Sequence, residues 1–176
     1  MRESGGRILI IGGYGHVGQS IAVRLASLFP NRVTVAGRNL DKARTTAREI
    51  GHGTEECAID IFGTDTDAVS CLDSVSLVIV CLDQSNTRFV EQCLSRGIHY
   101  VDISADYPFL LEVEQLHSLA ERSGATAMLS VGVAPGLTNL LAARAQEQME
   151  RTDRIDIILE FGLGDRPRSD FDCASA

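Results

Sequence analysis

Lysine is scarce in this 176-residue chain. Of its 16 lysine and arginine residues, only Lys42 is a lysine. A catalytic lysine would therefore have a single possible position. Long apolar runs are also missing. Nothing approaches the roughly 18–20 apolar residues of a membrane span, and the run at residues 8–11 is too short for a signal peptide. We therefore expect a cytoplasmic protein without a membrane partner.

Basic surface and metal-ligand spacing are lacking as well. The formal net charge of -8 argues against a nucleic-acid partner or an anionic membrane surface. The five cysteines form no Cys-x-x-Cys pair, and none combines with the four histidines at zinc spacing. A scattered, odd set of this kind favours reduced thiols over disulfides or a metal site. No metal ligand is predicted.

Apolar runs that alternate with helical patterns fill the first 150 residues. Strands are predicted at residues 7–11, 32–36, 57–61, 77–81, 98–103 and 126–131. Helices are predicted from residues 17, 41, 66, 86, 108 and 136, the last four ending near 72, 96, 124 and 149. Short strands that alternate with helices predict an α/β fold, a Rossmann doubly wound parallel sheet of about six strands over residues 1–150.

The pattern changes after Glu150. In residues 154–161, Ile155, Ile157, Leu159 and Phe161 share one face and the acids at 156 and 160 the other, with an isoleucine at 158 breaking the pattern. Alternation of this kind is typical of a strand with one wet face. One strand cannot form a domain by itself. We therefore expect residues 151–176 to be the first strand of a second, α+β domain for substrate binding or dimerisation that is truncated here.

A glycine-rich loop follows the first strand. Residues 12–18 read Gly-Gly-Tyr-Gly-His-Val-Gly, with the Gly-x-Gly-x-x-Gly pattern at Gly13, Gly15 and Gly18. In this context Gly13 would permit the tight turn, Gly15 the approach of a pyrophosphate, and Gly18 close packing of the helix. The helix amides would face the phosphates. The alternative is a glycine-rich turn without a ligand.

A missing acid separates the two possible cofactors. NAD-binding folds usually place an acid about 20 residues beyond the loop, where it bonds the ribose 2′-hydroxyl. This chain has no Asp or Glu between Ser4 and Leu40, and the second strand ends with Gly37, Arg38 and Asn39. The Arg38 guanidinium suits a 2′-phosphate, and Gly37 would leave room for it. We therefore predict NADP as the cofactor, with NAD as the less favoured alternative. The alternative without a ligand is that Arg38 is an ordinary solvated surface arginine.

The ends of the other strands complete the predicted crevice, because ligands lie at the carboxyl ends of strands in such sheets. Residues 60–61 would lie near the adenine, and residues 81–83 near the nicotinamide. Cys81 is interpreted as a small packed residue rather than a nucleophile, and no catalytic residue is assigned. The predicted cofactor-binding residues are Gly12, Gly13, Tyr14, Gly15, His16, Val17, Gly18, Arg38, Asn39, Asp60, Ile61, Cys81, Leu82 and Ser104.

Four segments in this order resemble the saccharopine dehydrogenase family, specifically its NAD(P)-binding N-terminal domain. They are the residue 12–18 loop, Val-Ala-Gly-Arg-Asn at 35–39, Tyr-Val-Asp-Ile-Ser at 100–104, and Val-Gly-Val-Ala-Pro-Gly-Leu-Thr-Asn at 131–139. Ala134 stands where many members have Asp. The resemblance covers about residues 7–162.

The resemblance implies an oxidoreductase of amino-acid metabolism that acts on C–N bonds, by reducing an imine or by the reverse reaction. It also implies an amino-acid-like or polyamine-like substrate, with most substrate-binding groups in the second domain, so this fragment alone would be inactive. Asp102 and residues 135–139 are candidates to border the substrate, and a homodimer is possible.

A different class of function stays open. The glycine spacing also resembles atypical short-chain dehydrogenase relatives, some of which sense NADP(H) without turning it over. The chain has no Tyr-x-x-x-Lys motif, which is the usual active-site signature of that group. A purely structural module is a third option, but it gives no reason for the missing acid near Arg38.

Overall fold

A computed structural model describes residues 5–63 and 70–159. Its single six-stranded sheet is parallel throughout, with the order β3-β2-β1-β4-β5-β6. This is the strand order of a Rossmann sheet. Strands β2 and β3 are added on one side of β1, and the order switches to the other side at β4. The predicted fold class is confirmed. The strands are β1 (Arg7–Ile11), β2 (Val33–Gly37), β3 (Glu55–Ala58), β4 (Val75–Val80), β5 (His99–Asp102) and β6 (Ala127–Met128).

Helices follow the strands as the alternation predicts. They are α1 (His16–Leu28), α2 (Leu40–Ile50), α3 (Arg88–Ser95), α4 (Tyr107–Glu114), α5 (His117–Ser123) and α6 (Leu137–Gln146), with a 3₁₀ turn at Ser70–Leu72. Residues 66–69 of the predicted helix at 66–72 lie outside the described residues. No helix in the described part of the chain is long and apolar enough to cross a bilayer.

The core lies on both faces of the sheet. Leu9 and Ile11 of β1 pack with β4, β5 and α3 on one face, while Ile8 and Ile10 pack with α1 and α2 on the other. Strands covered on both sides need apolar residues at every position. This arrangement accounts for the continuous apolar runs of β1 and β4.

Several element boundaries differ from the sequence-based expectations. The helix predicted at 108–124 is two helices, because Gln115 and Leu116 donate backbone hydrogen bonds only three residues back, to Glu112 and Val113. The predicted strand at 126–131 is shortened to β6, and α6 begins and ends inside its predicted range. β3 ends at Ala58, so residues 59–61 lie beyond the sheet rather than in a strand.

The predicted C-terminal strand does not form in the described part of the chain. Residues 154–159 are irregular, and residues 160–161 lie outside the description. A strand needs a neighbour to accept its backbone hydrogen bonds, and no described strand pairs with this segment. The second domain therefore stays a prediction.

The prediction of reduced thiols is wrong for one pair of cysteines. Cys57 in β3 and Cys71 in the 3₁₀ turn form a disulfide, with their Cα atoms 6.2 Å apart. Spacing in the sequence could not show this pairing, because the return of the chain toward β4 brings the two residues together. Cys81 and Cys93 are free thiols, and Cys173 lies outside the described residues.

Candidate functional site

The glycine loop makes a tight turn between β1 and α1. The amides of Gly12 and Gly13 both donate to the Ala36 carbonyl oxygen, at 2.9 and 3.2 Å, and Gly15 donates to the Gly12 carbonyl at 2.9 Å. Gly12 has a φ of +73°, a conformation that favours glycine. The turn therefore depends on Gly12, rather than on Gly13 as the sequence pattern predicts.

Two other glycines of the loop are needed because neighbouring backbone atoms approach them closely. A Cβ at Gly13 would lie 2.8 Å from the Ile10 carbonyl oxygen, and one at Gly18 would collide with the Gly12 carbonyl oxygen. The close packing predicted at Gly18 is therefore present, against the loop backbone. A Cβ at Gly15 would meet only the Gly12 oxygen, at 3.2 Å. The far side of Gly15 is open to a ligand.

The first turn of α1 presents free backbone donors. The first intrahelical bond of α1 runs from the Gln19 amide to the Gly15 carbonyl, so the amides of His16, Val17 and Gly18 precede the hydrogen-bond ladder. This turn has no acidic residue, and its N-cap, Gly15, has no side chain to occupy these amides. A helix start of this kind attracts anions such as phosphate.

A cleft of about 310 Å³ opens beside this loop at the carboxyl ends of the strands. Eight of the predicted cofactor-binding residues line it: Gly12, Tyr14, Gly15, Arg38, Asp60, Ile61, Cys81 and Leu82. The remaining ones do not line the cleft: Gly13, His16, Val17, Gly18, Asn39 and Ser104. Gly37 and Asp83, which were also expected beside the cofactor, line the cleft, together with three residues that were not singled out, Ile11, Ile59 and Phe62.

Arg38 lies exposed at the mouth of the cleft, directly after β2. Its guanidinium makes no ion pair with any described residue. Asp41, the next acid along the chain, has a partner of its own in Arg44, at 3.4 Å. Within the described part of the chain, the positive charge at the end of β2 is therefore left without an ionic partner.

Gly37 makes room for the Tyr14 side chain, because a Cβ at Gly37 would lie 2.6–2.8 Å from the Tyr14 ring and hydroxyl atoms. Room for a 2′-phosphate beside this glycine stays a prediction. The Tyr14 hydroxyl accepts a hydrogen bond from the Asn39 amide at 3.3 Å. Tyr14 thus joins the glycine loop to the end of β2, and Asn39 itself caps α2 through the Lys42 amide.

Residues 59–62 form the wall of the cleft beyond β3. The Ile59 amide donates to the Gly37 carbonyl at 3.0 Å, and the Asp60 carboxylate accepts from the Phe62 amide at 3.0 Å. Phe62 lies half-exposed on this wall. Phe62 was not among the predicted site residues. The sequence could have indicated it, because it is an aromatic residue two positions after Asp60 at the predicted strand end.

Cys81 is a neutral, packed thiol. Burial raises its pKa to about 11, and the negative charge of Asp102 adds to the shift. A thiolate is the nucleophilic form of cysteine, and this environment disfavours it. The interpretation of Cys81 as a packing residue agrees with this chemistry.

Asp102, a candidate to border the substrate, lies in the interior and does not line the cleft. It is fully buried, and its carboxylate accepts from the Ser104 amide at 2.8 Å, the Tyr100 hydroxyl at 3.1 Å and the Gln84 amide group at 3.4 Å. Burial, with the nearby Asp102 charge, raises the pKa of Tyr100 far above its usual range. Ser104 is buried as well, which explains its absence from the cleft.

The segment at residues 131–139 lies beside the end of β5. The Val131 amide donates to the Asp102 carbonyl at 2.8 Å, and the Ala134–Pro135 peptide is cis. The Asn139 side chain accepts from the Gly136 amide at 3.1 Å, which fixes the start of α6. None of these residues lines the cleft, so a contact with substrate stays a prediction.

A second, larger cleft of about 430 Å³ lies along β6, away from the glycine loop. Its lining is mainly aliphatic, and its ionisable residues include His117 and Glu121, which pair with each other at 3.4 Å. Of these two clefts, only the first has phosphate-binding geometry beside it. No group of three His, Cys, Asp or Glu side chains in the described segments could hold a metal.

Residues 8–128, more than half of the chain, match the family described as the saccharopine dehydrogenase NADP binding domain. The chain belongs to that family. Nicotinamide dinucleotides are accordingly the cofactor class of this saccharopine dehydrogenase NADP-binding domain. The open loop at Gly15 and the free amides of α1 fit such a cofactor.

Solved structures support the fold. Apo saccharopine dehydrogenase (L-Glu forming) from Saccharomyces cerevisiae matches with a TM-score of 0.67 at 24% identity, over 82% of this chain and 31% of that one. A shikimate 5-dehydrogenase from Mycobacterium fortuitum matches with a TM-score of 0.53 at 22% identity, over 81% and 50%. An NAD binding oxidoreductase from Klebsiella pneumoniae matches with a TM-score of 0.56 at 18% identity, over 83% and 39%. The chain thus spans about a third to a half of these proteins.

Proposed function

We propose that this domain binds NADP(H) in preference to NAD(H) and forms the cofactor-binding part of an oxidoreductase acting on C–N bonds. The proposal rests above all on Arg38, which lines the cleft at the end of β2 without an ionic partner among the described residues. No acid lies between Ser4 and Leu40 to repel a 2′-phosphate. Guanidinium groups bind such phosphates through paired, charge-assisted hydrogen bonds.

The remaining contacts follow from the geometry of the cleft. The amides of His16 and Val17 would bind the pyrophosphate, which can approach over Gly15. Residues 59–62 would enclose the adenine, with Phe62 against its ring. Cys81, Leu82 and Asp83 would lie on the nicotinamide side. The nicotinamide, when bound, supplies or accepts the hydride of the reaction.

Titration of the protein with NADPH and with NADH, followed by cofactor fluorescence, tests the cofactor preference. We expect NADPH to bind more tightly. Arg38→Ala should weaken NADPH binding about 10- to 100-fold, the value of a lost hydrogen bond to a charged group, and should leave NADH nearly unchanged. Arg88→Ala is the matched control, because Arg88 is exposed on α3 and outside this cleft. Tighter binding of NADH, or an unchanged cofactor ratio in Arg38→Ala, would refute the proposal.

The proposed substrate is an amino-acid-like or polyamine-like imine, and family membership is its support. NADPH oxidation by the complete natural protein, screened against pairs of amines and keto acids, tests this reaction. Turnover with such a pair would support imine reduction. Binding of NADPH with no turnover of any pair would instead favour the non-catalytic NADP(H)-sensing alternative.

We further propose that residues 151–176 open a second domain that binds substrate and contributes to a homodimer. Its support is the run of exposed large aliphatic side chains from Met128 onward, which includes Leu140 at 70% and Ile158 at 91% exposure. Unpartnered apolar surface of this kind marks contacts with another domain or subunit. A cytoplasmic location is also part of the proposal, and cell fractionation would test it. The Cys57–Cys71 disulfide argues against this location, because disulfides are rare in cytosolic proteins.

A further inference from the structure

The disulfide closes a ring of chain beside the cofactor cleft. Cys57 lies in β3 and Cys71 in the 3₁₀ turn before β4, 14 positions apart in sequence. Both pack into the same hydrophobic cluster as Ile59 and Ile61. The sulfur atoms are therefore part of the core that supports the wall of the cleft.

The ring contains the whole of that wall. Residues 59–62 all line the cleft, and all lie between the two bonded cysteines. On the β2 side the wall is held by a backbone hydrogen bond from the Ile59 amide to the Gly37 carbonyl. On the opposite side the covalent bond between Cys57 and Cys71 ties it to the turn that leads into β4. Breaking this bond removes a constraint that acts directly on the wall.

We infer that Cys57 and Cys71 form a thiol–disulfide exchange site, whose oxidised form holds residues 59–62 in place and binds the dinucleotide more tightly. This inference rests on the proposed binding of NADP(H) in the adjoining cleft. The exchange partner is a dithiol, the class of reductant that cleaves disulfides in proteins. Redox state and cofactor affinity are thereby coupled.

The exchange balances in electrons and protons. A thiolate of the dithiol attacks Cys57, the more accessible cysteine, and the bond between the two protein sulfurs breaks. Cys71 leaves as a thiolate and takes up a proton. In the oxidised structure its sulfur lies 3.2 Å from the Ala58 carbonyl oxygen, an acceptor to which the new thiol could donate. The second thiolate of the reagent attacks the mixed disulfide and releases Cys57, which is also protonated. Two electrons and two protons reach the protein, and the reagent becomes a cyclic disulfide.

Coupling of this kind is reciprocal. If oxidation tightens NADPH binding by some factor, bound NADPH must make the disulfide harder to reduce by the same factor. The inference therefore predicts two independent measurements that must agree. A disulfide that only stabilised the fold, without affecting the cleft, would change neither the Kd for NADPH nor the midpoint of reduction.

The experiment compares NADPH titrations of the oxidised protein and of the same protein after treatment with dithiothreitol. We expect the Kd to rise on reduction about fivefold or more, within the ordinary range of coupling between sites. A second titration measures the fraction of Cys57 and Cys71 reduced across mixtures of reduced and oxidised dithiothreitol. Saturating NADPH should shift its midpoint by the same factor.

The double variant Cys57→Ser/Cys71→Ser should show the Kd of the reduced protein and no response to dithiothreitol. Cys173→Ser, which leaves both bonded cysteines intact, should respond as the unaltered protein does. Equal Kd values for the oxidised and reduced protein would overturn the inference and leave the proposed function standing. If neither the oxidised nor the reduced protein bound NADPH, both the inference and the proposed function would be overturned. The comparison within the unaltered protein decides the question even if the double variant does not fold.

Discussion

Two glycines of the loop are restricted by the fold for different reasons, and a third is not. Gly12 adopts a left-handed φ, Gly18 has no space for a Cβ, and Gly15 meets neither restriction, with a φ of -79° and one neighbour at 3.2 Å. An alanine at Gly15 is therefore compatible with the fold, whereas one at Gly18 is not. The two positions separate the stability of the turn from its use as a phosphate site.

This contrast gives a prediction for two single variants. Gly18→Ala should lower the free energy of unfolding by about 1–3 kcal/mol, since its Cβ overpacks against the Gly12 and Gly13 backbone. Gly15→Ala should leave stability nearly unchanged but weaken NADPH binding about tenfold or more, because it blocks close approach to the helix amides. Urea unfolding and fluorescence titration measure the two effects. Equal stability losses in both variants would contradict this account.

Residue-scale prediction from sequence succeeded where a local pattern determined the environment. The absence of acids between Ser4 and Leu40 singled out Arg38, which lines the cleft, and a single apolar run indicated that Cys81 is packed. Asp102 was misjudged, because its position after a strand is the same for a ligand-binding and for a buried carboxylate. Only the partners Gln84 and Tyr100 decide between the two, and Gln84 comes from the loop after a neighbouring strand.

At the scale of elements, this buried network ties two strand ends together. Gln84 follows β4, and its side-chain amide donates to the Tyr100 hydroxyl on β5 at 2.5 Å and to Asp102 at 3.4 Å. Asp102 also accepts from the Ser104 amide and thereby fixes the turn into α4. The loops after β4 and β5 are therefore held in one arrangement at the edge where the cleft opens.

Removal of the Asp102 carboxylate should be costly. Asp102→Ala leaves the Tyr100 hydroxyl and the Ser104 amide without their acceptor and removes one of the two acceptors of the Gln84 side-chain amide, and we expect a loss of about 3 kcal/mol or more. Tyr100→Phe removes one hydroxyl and should cost about 1–3 kcal/mol. Asp73→Ala is the control, because Asp73 is exposed. Urea unfolding of the four proteins tests the ranking, and a value for Asp102→Ala within error of the control would refute it.

Element boundaries were predictable only where local signals set them. Gly51 ends α2 as expected, because a positive φ is required there. The break between α4 and α5 has no glycine or proline to mark it, and the shortness of β6 depends on how far β5 offers it a partner. The irregular course of residues 154–159 likewise reflects missing partners. Alternation shows which residues suit a strand but cannot supply the neighbouring strand.

At the scale of the whole molecule, topology was the most predictable property. Apolar runs such as Leu77–Val80 in β4 are needed only in strands covered on both faces, and helices between strands leave a parallel sheet as the consistent solution. From that sheet follows the position of the cleft at the carboxyl ends of the strands. The Cys57–Cys71 bond could not be foreseen, because it depends on how the chain returns between β3 and β4.

The exposed aliphatic side chains lie unevenly along the chain. Residues 128–159 include Val133, Leu137, Leu140 and Leu141, all more than half exposed. Earlier in the chain such residues are fewer, Leu28 at 55% exposure being the most exposed leucine. Isolated apolar residues are ordinary on protein surfaces, whereas a concentration of them favours association. We therefore expect this chain to self-associate through its C-terminal third.

Sedimentation velocity over a range of protein concentrations tests this expectation. The unaltered chain should show a mass that increases with concentration, and Leu140→Glu/Leu141→Glu should shift it toward the monomer, because two carboxylates cannot be buried unpaired in an apolar contact. Leu28→Glu introduces the same chemical change on α1, at a comparably exposed position, and should leave the association as it is. Helical content of both variants, followed by circular dichroism, shows whether the fold persists. Association that survives the double substitution, or that Leu28→Glu abolishes equally, would locate the contact elsewhere on the domain.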